Sequence, residues 1–290
     1  MENKITLLVV GRTGNGVTSV VYSARSGSNV IEEKSISVGE DERRVADHEF
    51  PEFRVIITQD ITIIDGSGIG DCEIDSSIPD IKMRESVTKA LEEVGGFDVL
   101  IFVLKYGTRF TKQEKDAVEK VKEYFGESIF RDRGIIVLSY GDNFSLDNEE
   151  GAFKEWCGSQ VGEFKLLTEE CENRVLLFDN RTNDEKVKSE QRQKLIETTC
   201  RIRDKFMGHY TVHDFKNQRQ NYKPENSLFN QRHSSLYERN TERSCLLKVW
   251  EFIRRAVVSK TCNRIYIAII LLLIFIVLMC CLVTLNGFKL

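Results

Sequence analysis

The residues best suited to chemistry fall in short segments that each follow an apolar run. The first reads Gly11-Arg12-Thr13-Gly14-Asn15-Gly16-Val17-Thr18-Ser19. Gly11 and Gly16, five apart, allow a loop whose backbone N–H groups converge on a phosphate, with the Thr18 hydroxyl in reach of Mg²⁺. The phosphate-loop pattern G-x-x-x-x-G-K-[ST] has lysine where this chain has Val17, so a strand-to-helix turn without ligand is the other reading. The second segment is Asp65-Gly66-Ser67-Gly68, a D-x-x-G turn whose carboxylate could hold Mg²⁺ through a water, or be an ordinary turn. The third is Ser139-Tyr140-Gly141-Asp142. The Asp142 carboxylate can accept two hydrogen bonds, as the N1–H and N2–H₂ of a guanine ring require; its plain role would be a cap or turn aspartate. The fourth is Phe178-Asp179-Asn180-Arg181.

Elements must place these segments side by side. Short apolar runs at 5–10, 53–58, 61–64, 99–104, 135–138 and 175–178 read as buried strands. Helical patterns at 17–25, 82–94, 111–125, 149–157 and 184–207 lie between or after them. Thr111 and Glu114 form a capping-box start for the third. Strands alternating with helices predict an α/β fold: a doubly wound, mostly parallel six-stranded sheet with helices on both faces. Ligands of such sheets bind at the carboxyl ends of the strands, where all four segments fall in order.

The 290 residues are 41% apolar and 30% charged with three prolines, which excludes a disordered or fibrous chain. The net charge of −4 argues against nucleic acid as a partner. Charge is unevenly spread: residues 1–208 carry −11, and residues 209–264 carry +6. Residues 265–285 are 21 positions without a charged side chain, long enough as a helix to cross a bilayer. Arg254, Arg255, Lys260 and Arg264 before this run, against Lys289 after it, orient the acidic body to the cytosol. No signal peptide pattern opens the chain. The expected organisation is a domain at 1–208, a polar flexible neck at 209–245, a basic juxtamembrane segment at 246–264 and a C-terminal transmembrane anchor at 265–285. The tail's weak charge favours the endoplasmic reticulum. The scattered cysteines lack zinc spacing and would stay reduced in the cytosol. Cys262 is either palmitoylated or a free thiol.

With these motifs in order, the chain resembles the GTPase of immunity-associated protein family, a septin-like group with an AIG-type G domain. GRTGNG at 11–16 resembles the family's phosphate loop, and residues 97–127, centred on RFT at 109–111, resemble its conserved box. SYGD at 139–142 is similar to its base-reading motif and FDNR at 178–181 to its closing segment. The resemblance covers roughly residues 4–207 and implies a P-loop NTPase fold that binds GTP or GDP with Mg²⁺. It implies nucleotide contacts from Gly11, Arg12, Thr13, Gly14, Asn15, Gly16, Val17, Thr18, Ser19, Asp65, Gly68, Asp142 and Asn180. Thr18 and Asp65 would be the metal-side residues, and the G domains would pair as homo- or hetero-dimers. Three departures fall on the chemistry: Val17 replaces the lysine, Gly39 stands where threonine is usual, and D-T-P-G has become Asp65-Gly66-Ser67-Gly68. The expectation is a membrane-anchored GTP-binding switch or scaffold with hydrolysis impaired or absent. The alternative is a nucleotide-free pseudo-GTPase acting as a tethered interaction module.

Overall fold

A computed structural model describes residues 4–36, 53–67, 69–71, 77–147 and 152–221. Gly39, Gly68, Cys262, most of the neck and the apolar run 265–285 lie outside these residues.

The apolar runs become strands because each is covered on both faces. β1 (Ile5–Gly11) is buried along its whole length. β3 (Phe53–Thr58), β4 (Ile61–Ser67), β5 (Val99–Lys105), β6 (Gly134–Ser139) and β7 (Val175–Leu177) complete the expected set. A seventh strand, β2 (Val30–Ile36), corrects the expectation of six. Its residues VIEEKSI are mostly exposed, so no apolar run marks them. The ladder to β3 holds this strand, aided by the ion pair of Lys34 with Glu93 of the helix at 77–94. The sheet order is β2-β3-β4-β1-β5-β6-β7, antiparallel at β2–β3 and β3–β4 and parallel elsewhere.

The helices are α1 (Val17–Ala24), α2 (Ser77–Val94), α3 (Lys112–Phe125), α4 (Ile129–Arg133), α5 (Gly141–Asp147), α6 (Phe153–Ser159), α7 (Gly162–Glu170), α8 (Glu185–Phe206) and α9 (Val212–Asn221). They cover both faces. On one, Leu7, Val9, Ile101 and Val103 share a cluster with Val20 and Val21 of α1 and with Leu195 and Ile202 of α8. On the other, Phe102 meets Phe130 of α4 edge to face, with ring centres 5.5 Å apart. The expected capping box of α3 is formed by Thr111 and Glu114.

Within residues 209–218, read from sequence as the start of a flexible neck, Tyr210 and Phe215 are buried. Tyr210 exchanges backbone hydrogen bonds with Phe97 and stacks on its ring at 4.8 Å. The Tyr210 hydroxyl donates to the Phe125 carbonyl at 3.0 Å, and Phe215 of α9 is buried against Phe125. The polar composition of 209–221 hides these two aromatic anchors. The chain divides into Met1–Arg232 and His233–Leu290, the second outside the described residues. Among the described residues no helix is long and apolar enough to cross a membrane.

Register then brings the candidate segments together. Gly11 pairs with Ser67 of β4 and Val103 of β5, Lys105 with Ser139 of β6, and Leu138 with Leu177 of β7. The loops after β1, β6 and β7 and the last residues of β4 therefore share one edge.

Candidate functional site

The loop leaving β1 is shaped by its glycines. Gly14 and Gly16 have φ of 85° and 83°, the left-handed region that glycine enters without steric cost. Gly16 is also the N-cap of α1, where it brings no side chain; among the described residues no side chain caps the N–H groups of this end, and the first turn holds no acid. These donors, at the positive end of the helix dipole, are free to meet an anion. Thr18 and Ser19 are exposed on this first turn. Asn15 faces inward: its Nδ2 donates to the Val103 carbonyl at 3.2 Å, and its own carbonyl accepts from Ser139 Oγ at 2.6 Å. Asn15 thus braces the loop from inside. Val17 is 6% exposed and belongs to the apolar cluster beneath the sheet.

Two acids hold the loop's outer side: Asp71, which the sequence did not single out, and Glu114, which the sequence marked only as a helix cap. Asp71 accepts from the Thr13 N–H at 2.9 and 3.1 Å and from the Thr13 hydroxyl at 2.5 Å. Arg12 donates to Glu114 at 2.9 Å and lies 3.9 Å from Asp71. Burial works against charge on Glu114, but hydrogen bonds from Thr111 and Arg12 outweigh it and hold the carboxyl below its usual range. The loop after β1 is therefore tied to the first turn of α3 through a capping residue.

Asp65 lies inside β4 instead of in a loop, and it is 1% exposed. Arg54, its partner across the β3–β4 ladder, donates to Oδ2 at 2.5 Å. The Ser67 backbone N–H donates to Oδ1 at 3.2 Å, and the Ser67 hydroxyl donates to the same oxygen. Mg²⁺ was expected on Thr18 and Asp65, but this carboxylate already holds a guanidinium and two local donors, so it does not present the open oxygen that a metal's water shell needs. Among the described residues no group of three His, Cys, Asp or Glu side chains is placed to hold a metal ion. Gly68 lies outside them.

On the base side, Asp142 stands in the first turn of α5. Arg181 approaches its Oδ2 at 3.5 Å, while Oδ1 is buried with no hydrogen-bond partner among the described residues. Such an orphaned acceptor is rare and costly unless a ligand completes it. Tyr140 has φ of 60°. Its ring has Lys105 Nζ 4.5 Å and the Arg181 guanidinium 5.8 Å from its centre. Asn180 accepts from Ser23 of α1 at 2.7 Å, and Asp179 accepts from the N–H groups of Arg181 and Thr182. Asn180 thus fastens the closing loop to the helix that begins at the phosphate loop. Gly11–Ser19, Asp142 and Asn180 are brought to one edge, with Ser139 bridging the phosphate and base sides.

Comparison with known proteins places the chain. The model of the AIG1 family matches residues 5–230. Immune-associated nucleotide-binding protein 7 of Arabidopsis thaliana is 26% identical over 243 residues, covering 82% of this chain and 73% of that protein. Immune-associated nucleotide-binding protein 9 of the same plant is 28% identical over 197 residues, covering 67% of this chain but 53% of its own length. This chain thus spans about half of some relatives that it matches. Among solved structures, Toc33 from Arabidopsis thaliana in complex with GDP and Mg²⁺ gives a TM-score of 0.40 at 19% identity over 68% of this chain and 84% of that one. The G domain of the T. maritima FeoB iron transporter gives 0.36 at 15% identity over 67% and 98%.

Proposed function

We propose that this chain, which belongs to the AIG1 family, binds guanine nucleotide between the loops after β1, β6 and β7 and hydrolyses GTP slowly or not at all. The observation that carries the reading is Asp142 Oδ1, a buried acceptor that has no partner among the described residues, beside the closing loop. The N1–H and N2–H₂ of guanine are donors of the kind that it lacks. The uncapped N-terminus of α1 supports the phosphate half, since its N–H groups suit the anionic end of the same ligand. The names of the curated relatives describe nucleotide-binding proteins, which agrees with this assignment.

Val17 sets the limit on affinity and turnover. Removing one charged partner from a close pair costs about 2–5 kcal/mol, roughly 30- to 4,000-fold in affinity. Charge that develops on the transferring phosphoryl group also loses its cationic clamp. Titration of a fluorescent GTP analogue into the full chain tests the reading. Saturable but weak binding with slow or no GTP turnover is expected, and a chain that shows no binding at millimolar nucleotide contradicts it. The scaffold alternative draws on Val17 lying in the apolar core and on Asp71 already occupying the Thr13 donors.

The reading includes a membrane attachment through residues 265–285. What supports it is the uncharged length of that run and the basic residues before it. In sealed microsomes the N-terminal body should be digested by added protease, while a tag placed after Leu290 should be protected. A protected body would contradict the topology.

A further inference from the structure

We infer that the nucleotide site of this chain works without a divalent cation, because Arg54 has taken over the charge balance at Asp65. The inference rests on the guanine-nucleotide reading above and sharpens it.

A carboxylate as buried as Asp65 needs a cation or several donors close to it. In the phosphate-loop pattern, a lysine at position 17 and a metal both bring positive charge to this edge. Here position 17 is Val17, turned into the apolar cluster. Asp65 is served from the neighbouring strand instead. Antiparallel pairing sets Arg54 directly across from it, and the guanidinium meets Oδ2 at hydrogen-bond distance. Arginine stays charged at any physiological pH.

Mg²⁺ keeps several waters and is selected by oxygens that can receive them. At Asp65 such waters would compete with Ser67 at Oδ1 and with Arg54 at Oδ2. A doubly charged ion would also stand beside a fixed guanidinium, in a buried place where repulsion is poorly screened. Thr18 offers a single exposed hydroxyl on the first turn of α1, which does not replace the lost carboxylate. Among the described residues of this loop, positive charge for phosphates comes from the α1 N-terminus and from Arg12. Arg12 is 29% exposed and paired with Glu114 and Asp71 at the loop's outer side.

The test is equilibrium binding of a fluorescent GTP analogue to the full chain in detergent, in excess EDTA and in millimolar Mg²⁺. The affinities should agree within about threefold, a difference below about 0.7 kcal/mol. A larger loss in EDTA overturns the inference while leaving the nucleotide reading intact. Absence of binding in both buffers removes the nucleotide reading and this inference with it. Arg54→Gln should make binding respond to Mg²⁺, by at least about tenfold, equivalent to 1.4 kcal/mol. A folded Arg54→Gln protein indifferent to Mg²⁺ would show that Arg54 is not what excludes the ion. If that variant does not fold, Arg54→Lys keeps the charge and should bind equally in both buffers; a Mg²⁺ requirement in Arg54→Lys would contradict the charge argument.

Discussion

The proposed limit on affinity and turnover rests on Val17. Its side chain is almost fully buried with Val20, Val21 and the inward residues of β1. If the loop keeps its phosphate cradle, Val17→Lys should raise GTP affinity by at least about tenfold, since one charge-assisted contact contributes roughly 1.5–3 kcal/mol. The gain should appear as a GTP-dependent rise in melting temperature, and hydrolysis should stay low because Gly39 has no hydroxyl. A destabilised Val17→Lys protein with no GTP-dependent rise would favour the scaffold reading, with lysine forced against apolar neighbours. The departure at position 17 was legible in the sequence, because a motif position is local. The contacts that Asp65 and Arg12 make were not. Arg54 reaches Asp65 only through strand register, and Arg12 meets Glu114 from 102 positions away. No spacing rule links such partners.

Among the elements, those with apolar periodicity or local caps were readable, and those held by long-range or polar contacts were not. β1 and the Thr111–Glu114 box belong to the first kind, β2 and α9 to the second. The packing of α9 can be measured. Phe215→Ala should cost about 3–5 kcal/mol, or roughly 6–20 °C in melting temperature for a domain of this size. An unchanged melting temperature would mean that the neck is free from residue 209 onward. The β3–β4 turn is tied to α8 by Asp60, which accepts from Arg192 and from Ser28 and Thr58. Partial burial opposes the charged form, but these donors outweigh it and hold the Asp60 carboxyl at about 2, below its ordinary 3.8. A carboxyl lowered by folding stabilises the native state above its unfolded pKa, and that contribution is lost as pH falls toward the folded value. Asp60→Asn should therefore melt below the wild type at pH 7, and the gap should narrow as pH drops from about 4 to about 2. A gap that is constant across this range would show that the ion pair is not coupled to folding.

For the whole molecule, the doubly wound plan followed from alternating strands and helices, and the seventh strand extends it at an exposed edge. The plan matters because it gathers the ends of β1, β4, β6 and β7 on one side. There, Ser139 joins the phosphate loop to the base-side loops. The order of the motifs predicted this edge; the state of each side chain on it had to come from the structure. Asp65 is satisfied and Asp142 is not, although both read in sequence as aspartates after a strand. The acidic body and basic neck form a separate, sequence-level pattern that agrees with attachment to an anionic membrane surface.

The most direct measurement is base discrimination at Asp142. A bound fluorescent GTP analogue should be displaced from the full chain by GTP at far lower concentration than by ATP, and Asp142→Ala should abolish that preference while the protein stays folded. A wild-type chain on which ATP competes as well as GTP, or an Asp142→Ala chain that keeps its preference for guanine, would contradict the account.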